Sequence, residues 1–345
     1  MIEASAASRM VTEARQSLEV AERQQQHTEL FLNAARAIRE MEPRLVITCA
    51  RGSSDHAATY AKFLVETETG TPVASHSPSI SSVYATQWRR LDRTLFLAIS
   101  QSGRSPDLIE SVRAARAAGA LVVALVNETS SPLSDASSMT VPVLAGPEES
   151  VAATKSYIGT LLALARVVAE WTGREPLREA LDSSPQALRR AWDLDWSAST
   201  DALRDASSIY VLGRGPTFGI AQEAALKFKE TCGIHAEAFS AAEVRHGPMA
   251  IINKGFPVLL LVPDDAGRDS FASLAAELVE RGARVLVTGL RVDGAINLPS
   301  VPDLHPAIAP IASILSFYRM AAALSIARGR DPDAPPYLRK VTETR

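Results

Sequence analysis

The chain has 345 residues, 46% of them hydrophobic, and a formal net charge of −3 from 36 Lys and Arg against 39 Asp and Glu. This content supports large buried cores and, at about 100–200 residues per domain, two domains; it excludes a disordered chain, and the mixed, near-neutral charge gives no footprint for nucleic acid or a membrane surface, so a small-molecule ligand is expected. Cys49 and Cys232 lie far apart with no CxxC and no Cys/His metal spacing, and neither an apolar signal core nor an uninterrupted apolar run near the ~18 residues of a membrane span is present, so the protein is expected in the cytoplasm, with no disulfide and no metal.

Residues 5–41 carry Met10, Ala14, Leu18, Ala21, Leu30, Phe31, Ala34, Ala35 and Ile38 among charged and Gln residues, which predicts one or two amphipathic helices stopped by Pro43. A strand follows at Leu45–Ala50, then the turn Arg51-Gly52-Ser53-Ser54-Asp55 and a helix through Glu66. Further strands are expected at 73–75, 93–99, 121–126 and 140–144, with a helix at 107–118 and a long one at 151–171. Alternating strands and helices predict a parallel sheet covered on both faces. Residues 176–202 read as a charged, Ser-rich helical connection.

The apolar run Leu95–Ile99 ends abruptly in Ser100-Gln101-Ser102-Gly103-Arg104-Ser105, and Ser105-Pro106 reads as an N-cap followed by a proline at the first helical position. A helix N-terminus with hydroxyls, Gln101 and a glycine suits a phosphate. An ordinary hydroxyl-rich turn would look the same. The Arg51–Asp55 turn is not GxGxxG, which argues against a dinucleotide and leaves sugar, phosphate or a plain helix cap.

The second half repeats the first. Gly52 and Gly215, Ser100 and Pro263, and Gly119 and Gly282 are each 163 positions apart. Such a period means a duplicated domain rather than a solenoid. Where the first copy has its Ser-rich loop, the second has Pro263-Asp264-Asp265-Ala266-Gly267-Arg268, whose carboxylates would repel a phosphate, so one phosphate loop per chain is expected. The fold class is therefore α/β with two tandem doubly wound domains. The expected boundaries are a helical segment 1–42, a first domain 43–175, a helical linker 176–200, a second domain 201–330 and a tail 331–345.

The densest polar stretch places Glu223, Lys227 and Glu230 four and three apart, on one helix face, followed by Gly233, His235 and His246. On a surface such a ladder is worth only ~0.2–0.5 kcal/mol per pair. A carboxylate and an imidazole in one pocket could instead move protons on carbon and oxygen near neutral pH.

Taken together, Gly52-Ser-Ser54, Ile99-Ser-Gln-Ser-Gly103, Gly146-Pro-Glu…Val151-Ala-Ala-Thr-Lys155, Leu212-Gly-Arg-Gly215, Glu223–Glu230, Ile234–Glu237, Glu243-Val-Arg-His-Gly-Pro248 and the tail Leu338-Arg-Lys340-Val-Thr resemble the sugar isomerase (SIS) family. Within it they are most similar to the isomerase half of glucosamine-6-phosphate synthase and to type II glucosamine-6-phosphate deaminases. The resemblance implies two SIS domains, a homodimer and an amino-sugar phosphate substrate. It puts the phosphate on Ser100, Gln101, Ser102 and Ser105, a sugar contact on Ser54, and the backbone near Val151 along the sugar. Glu230 matches the base that moves a proton between C1 and C2, Lys227 its helical neighbour, His246 the ring-opening residue supplied by the partner subunit, and Lys340 the lysine of a closing tail. Neither metal nor pyridoxal is implied. Ala153 stands where the synthase has Ser, and the tail is one residue shorter between Lys340 and Val341.

The chain starts with Met1 and a charged helix rather than with the synthase's glutaminase domain, which leads to the expectation of deamination, with release of fructose 6-phosphate and ammonia. Galactosamine 6-phosphate or a glycated amine phosphate are rival substrates. A non-catalytic sugar-phosphate sensor would keep the Ser-rich loop without needing Glu230, His246 and Lys340.

Overall fold

The computed structural model describes residues 8–338 and 340. It contains two five-stranded sheets, each all parallel, ordered β2-β1-β3-β4-β5 and β10-β9-β8-β6-β7. Renumbered within its own half, the second order is the first read backwards, so the two sheets share one doubly wound topology.

The first sheet is built from β1 (Leu45–Cys49), β2 (Val73–Ser75), β3 (Thr94–Ser100), β4 (Leu121–Val126) and β5 (Met139–Pro142). Helices cover both faces, so the strands are continuous apolar runs rather than alternating ones; all seven residues of β3 are buried. Phe96 at its centre is fully buried against Ile47, Leu108 and Val122, a burial worth ~1.5–3 kcal/mol. Strand β3 starts one residue later than its sequence pattern predicts, because Arg93 has φ of 51°, which no strand accommodates. The second sheet contains β6 (Ser208–Gly213), β7 (His235–Ser240), β8 (Pro257–Leu260), β9 (Arg284–Thr288) and β10 (Ile296–Leu298). The 163-residue shift is kept by the strand starts at Leu45 and Ser208, Thr94 and Pro257, and Leu121 and Arg284. It extends to backbone conformation: Gly52 (φ 53°, ψ −133°) and Gly215 (φ 57°, ψ −135°) each open a helix in a conformation that side chains avoid.

The N-terminal segment forms three helices, α1 (Arg9–Arg15), α2 (Ser17–Gln26) and α3 (Glu29–Met41), where one or two were expected. Residues 1–7 lie outside the described residues. Next come α4 (Ser53–Thr69), the single turn α5 (Ser79–Ser82), α6 (Pro106–Ala117), α7 (Pro132–Ala136) and α8 (Lys155–Thr172). Helix α8 begins four residues after the expected Val151. Glu148 reaches forward to bind the Ser156 amide at 3.1 Å and its hydroxyl at 2.6 Å, and so fixes where the helix starts. The connection 176–202 resolves into α9 (Glu175–Asp182), α10 (Ser184–Trp192) and α11 (Ser197–Leu203). The second half adds α12 (Pro216–Lys227), α13 (Arg268–Glu280) and α14 (Ala309–Ala327).

The chain divides into two compact units: one takes the chain up to Leu18, Glu149–Lys155 and Ser183–Leu338, the other Glu19–Glu148, Ser156–Asp182 and Lys340. The helical segment 1–42 is thus shared, with α1 and the first two residues of α2 in the first unit and the rest of α2 and α3 in the second, and the 146–155 loop changes units after Glu148. Helix α14 is the one described helix long and apolar enough to cross a membrane. It is the core helix of its unit, with Phe317, Tyr318 and Leu324 at zero exposure.

Candidate functional site

In the first sheet the strand order reverses between β1 and β3, and ligands of such sheets sit in the crevice beyond the strand ends at that point. Two loops border it. After β1 comes Arg51-Gly52, with Ser54 in the first turn of α4; after β3 comes Ser100–Ser105, leading into α6. The Ser100 hydroxyl accepts from the Gly103 amide at 3.0 Å and Ser102 accepts from the Arg104 amide at 3.4 Å; both bonds shape the loop and leave each O–H as a donor. Ser105 has the extended N-cap conformation with Pro106 at the first helical position, yet its hydroxyl makes no cap hydrogen bond. Among the described residues the side chains of Ser54, Gln101 and Ser105 make no hydrogen bond, and all three are partly exposed. Their donors have no internal acceptor among the described residues, and they stand at the positive ends of the α4 and α6 dipoles, as an anion site requires.

The other copy is closed by its own carboxylates. Asp265 accepts from the Gly267 amide at 2.7 Å, and Asp264 pairs with Arg268 at 3.1 Å. The helix entry that carries hydroxyls in one sheet carries satisfied acids in the other.

The candidate acid–base residues are in the second half. Glu223 and Lys227 lie on α12, at 0% and 1% exposure, and Glu230 lies on the π-helical turn Phe228–Cys232 that continues it. The Lys227 ammonium is 3.0 Å from Glu223 Oε1 and 2.7 Å from Glu230 Oε2, and the Tyr318 hydroxyl donates to Glu223 Oε1 at 3.2 Å. This is no surface ladder. Burial alone would push the ammonium's pKa down; the two carboxylates outweigh it, and the net shift is upward from the ordinary lysine value. Lys227 is therefore a permanently charged, inaccessible anchor that holds Glu230, whose side chain alone of the three keeps appreciable exposure, at 19%. Single π turns recur at functional sites because they re-aim one side chain out of helical register. The turn ends at Gly233, with φ of 61°, where a Cβ would overlap the Arg330 guanidinium.

His246 lies on an exposed turn after the short 3₁₀ helix Glu243–Arg245; its amide donates to the Glu243 carbonyl at 2.8 Å, and its imidazole makes no hydrogen bond or ion pair among the described residues. Val151 is half-buried in the irregular loop before α8. Lys340 pairs with Glu148 at 2.9 Å, and the Glu148 side chain is fully buried. Val341, and with it the shortened stretch of the tail, lies outside the described residues. Sequence patterning gave Asp107, Tyr318 and Glu148 no role, although all three fix site elements. Asp107 and Glu148 look like routine first-turn acids, and Tyr318 is one apolar position in a core helix.

The SIS domain model matches residues 42–169 and 202–296. The glutamine–fructose-6-phosphate aminotransferase (isomerizing) of Pyrobaculum aerophilum is 35% identical over 315 residues, covering 86% of this chain and 51% of that protein. The chain thus spans about half the length of the curated relatives it matches. Among solved structures, a candidate phosphosugar isomerase from Silicibacter pomeroyi DSS-3 has a TM-score of 0.91 at 42% identity, covering 94% of this chain and 100% of that one. The glucosamine-6-phosphate deaminase of Thermotoga maritima has a TM-score of 0.74 at 22% identity, covering 95% and 100%, and shares the fold.

Proposed function

This chain belongs to the SIS domain family, and on that premise we propose that it is a phosphosugar isomerase acting as an amino-sugar-phosphate deaminase, converting glucosamine 6-phosphate to fructose 6-phosphate and ammonia. The observation that carries the reading is the partly exposed Glu230 carboxylate held 2.7 Å from a buried ammonium. A base fixed on a rigid element but open to a ligand is suited to proton transfer between carbons.

In the proposed reaction the phosphate is held by Ser100, Gln101, Ser102 and Ser105 and stays remote from the reacting carbons. Ser54 and the backbone near Val151 contact the sugar. His246, contributed by the partner of a homodimer, assists ring opening to the C1 aldehyde. Glu230 takes the proton from C2 and returns it to C1, while the C1 oxygen gains a proton and the C2 nitrogen gives one up, so that the C1 aldehyde with its C2 amine becomes a C1 alcohol with a C2 imine. Water adds to the imine carbon, and ammonia leaves with the electron pair of the broken C–N bond. The opened carbonyl is the electron sink. Lys340 closes the tail over the ligand. Water is abundant and ammonia is not, so the imine hydrolyses unless ammonia is delivered to it.

The test is ammonium release from glucosamine 6-phosphate, galactosamine 6-phosphate and a glycated amine phosphate in parallel. Release from glucosamine 6-phosphate alone or foremost supports the reading; release only from another member replaces the substrate. Tight binding of all with no ammonium would sink the deaminase reading in favour of a sensor.

A further inference from the structure

We propose that Glu13, a residue outside the segments matched by the family model, is a positioning residue that sets the backbone of the substrate loop at Val151; this rests on the reading above that Val151 lines the sugar. Glu13 lies on α1 and is 6% exposed. Its Oε1 accepts from the Glu149 amide at 2.6 Å and its Oε2 from the Ser150 amide at 3.1 Å. Lys155 closes the loop from its other end. It is 4% exposed, lies 3.9 Å from Glu13 Oε1 and donates to Gln16 Oε1 at 2.6 Å.

Residues 150–154 form neither helix nor strand, so no repeating hydrogen-bond ladder defines their path. Its entry and exit are fixed instead by two charged side chains against one short helix. Charge-assisted bonds of this kind are roughly twice as strong as neutral ones and are directional, which suits them to holding a backbone rather than only burying it. Helix α1 is itself tied down: Asp333 accepts from the Arg9 and Met10 amides, each at 2.8 Å, and Ser8 accepts from the Val11 amide at 3.2 Å. Asp333 lies seven positions before Lys340, so one helix fastens both the substrate loop and the root of the tail. A loop held this way loses little further entropy when a sugar binds.

Glu13→Gln keeps size but turns one acceptor into a donor facing an amide and removes the counter-charge of Lys155. Amide exchange in the full-length protein should then accelerate at Glu149 and Ser150. The KM for glucosamine 6-phosphate should rise about tenfold, on the scale of one lost hydrogen bond to a charged group, with kcat within about twofold. Inhibition by inorganic phosphate, which needs only the Ser-rich loop, should keep its constant. Unchanged exchange would show that no clamp exists, and faster exchange with unchanged KM would show that the clamp does not position the substrate; either overturns the inference. Equal weakening of sugar phosphate and phosphate would mean general damage and overturns it as well. If the wild type turns over no hexosamine phosphate, the functional reading fails by itself. Glu13 is then judged by exchange and by fructose 6-phosphate affinity, which Glu13→Gln should weaken about tenfold while phosphate affinity holds.

Discussion

Arg51 donates two hydrogen bonds to a single carboxylate oxygen of Asp107, through Nε at 3.0 Å and Nη2 at 2.8 Å. Arg51 follows β1 and Asp107 opens α6, so this pair stitches together the two loops bordering the crevice at the strand-order reversal. The Asp107 side chain is fully buried, whereas that of Arg51 is 50% exposed. Arg51→Met should therefore cost near the lower end of the ~1.5–3 kcal/mol of a charged hydrogen bond, because solvent screens the arginine. Asp107 keeps the Leu108 amide at 2.9 Å as a partner. Phosphate affinity should fall as well, since the loops lose their cross-link. Urea unfolding and phosphate titration measure the two effects; loss of stability with unchanged phosphate affinity would separate the pair from the anion loop.

Lys227→Met should leave the buried Glu223 carboxylate without its counter-charge, at a cost of about 3 kcal/mol, and should free Glu230 from its fixed position. Turnover should drop by at least about a hundredfold with little change in KM, as expected when an interaction serves only the transition state. The pH dependence has a definite sign. A lysine whose folded pKa is raised contributes stability in full below its unfolded value, ~10.4, and loses it only as pH rises through the higher folded value. The stability difference between wild type and Lys227→Met should be constant in this lysine's contribution from pH 6 to 9 and shrink only in stronger alkali. Denaturation at several pH values in that range checks this.

Two glycines with positive φ should respond differently to alanine. At Gly103 (φ 63°) a Cβ would lie 2.7 Å from the Ser131 Cβ and overlap its hydroxyl; at Gly52 (φ 53°) nothing lies within 4 Å. Gly52→Ala should cost only the backbone strain of ~1–3 kcal/mol, and Gly103→Ala should add about 1–3 kcal/mol from overpacking to its own backbone strain, together with weakened phosphate binding. Thermal melts of both variants test the order, and equal losses would mean that Ser131 moves aside freely.

Burial pushes the Cys49 thiol up to about 12 and the Cys232 thiol up to about 11. Since the thiolate is the reactive form, neither should react with a disulfide reagent at pH 8 in the native protein, and both should after unfolding. Two equivalents released only on adding denaturant is the expected count; prompt native reaction would place a thiol nearer solvent.

Continuous apolar runs at Leu45, Thr94 and Leu121, their polar loop ends and the recurrence at 163 residues determine a duplicated doubly wound α/β chain, because buried parallel strands leave those marks locally. The Ser100–Ser105 loop is legible for the same reason: a strand, a polar turn and Pro106 are neighbours in sequence. Tertiary structure alone decides what the Glu223, Lys227 and Glu230 spacing means. Four- and three-residue steps describe a solvated ladder and a buried anchor equally, and only the folded packing, in which Glu223 and Lys227 are buried and the Tyr318 hydroxyl donates to Glu223, makes this one an anchor. The π turn that re-aims Glu230, the reach of Glu148 to Ser156 and Lys340, and the hold of Glu13 on Glu149 and Ser150 join residues from 8 to 192 positions apart or depart from helical register. Such contacts have no periodicity to betray them; they exist only once the chain has folded.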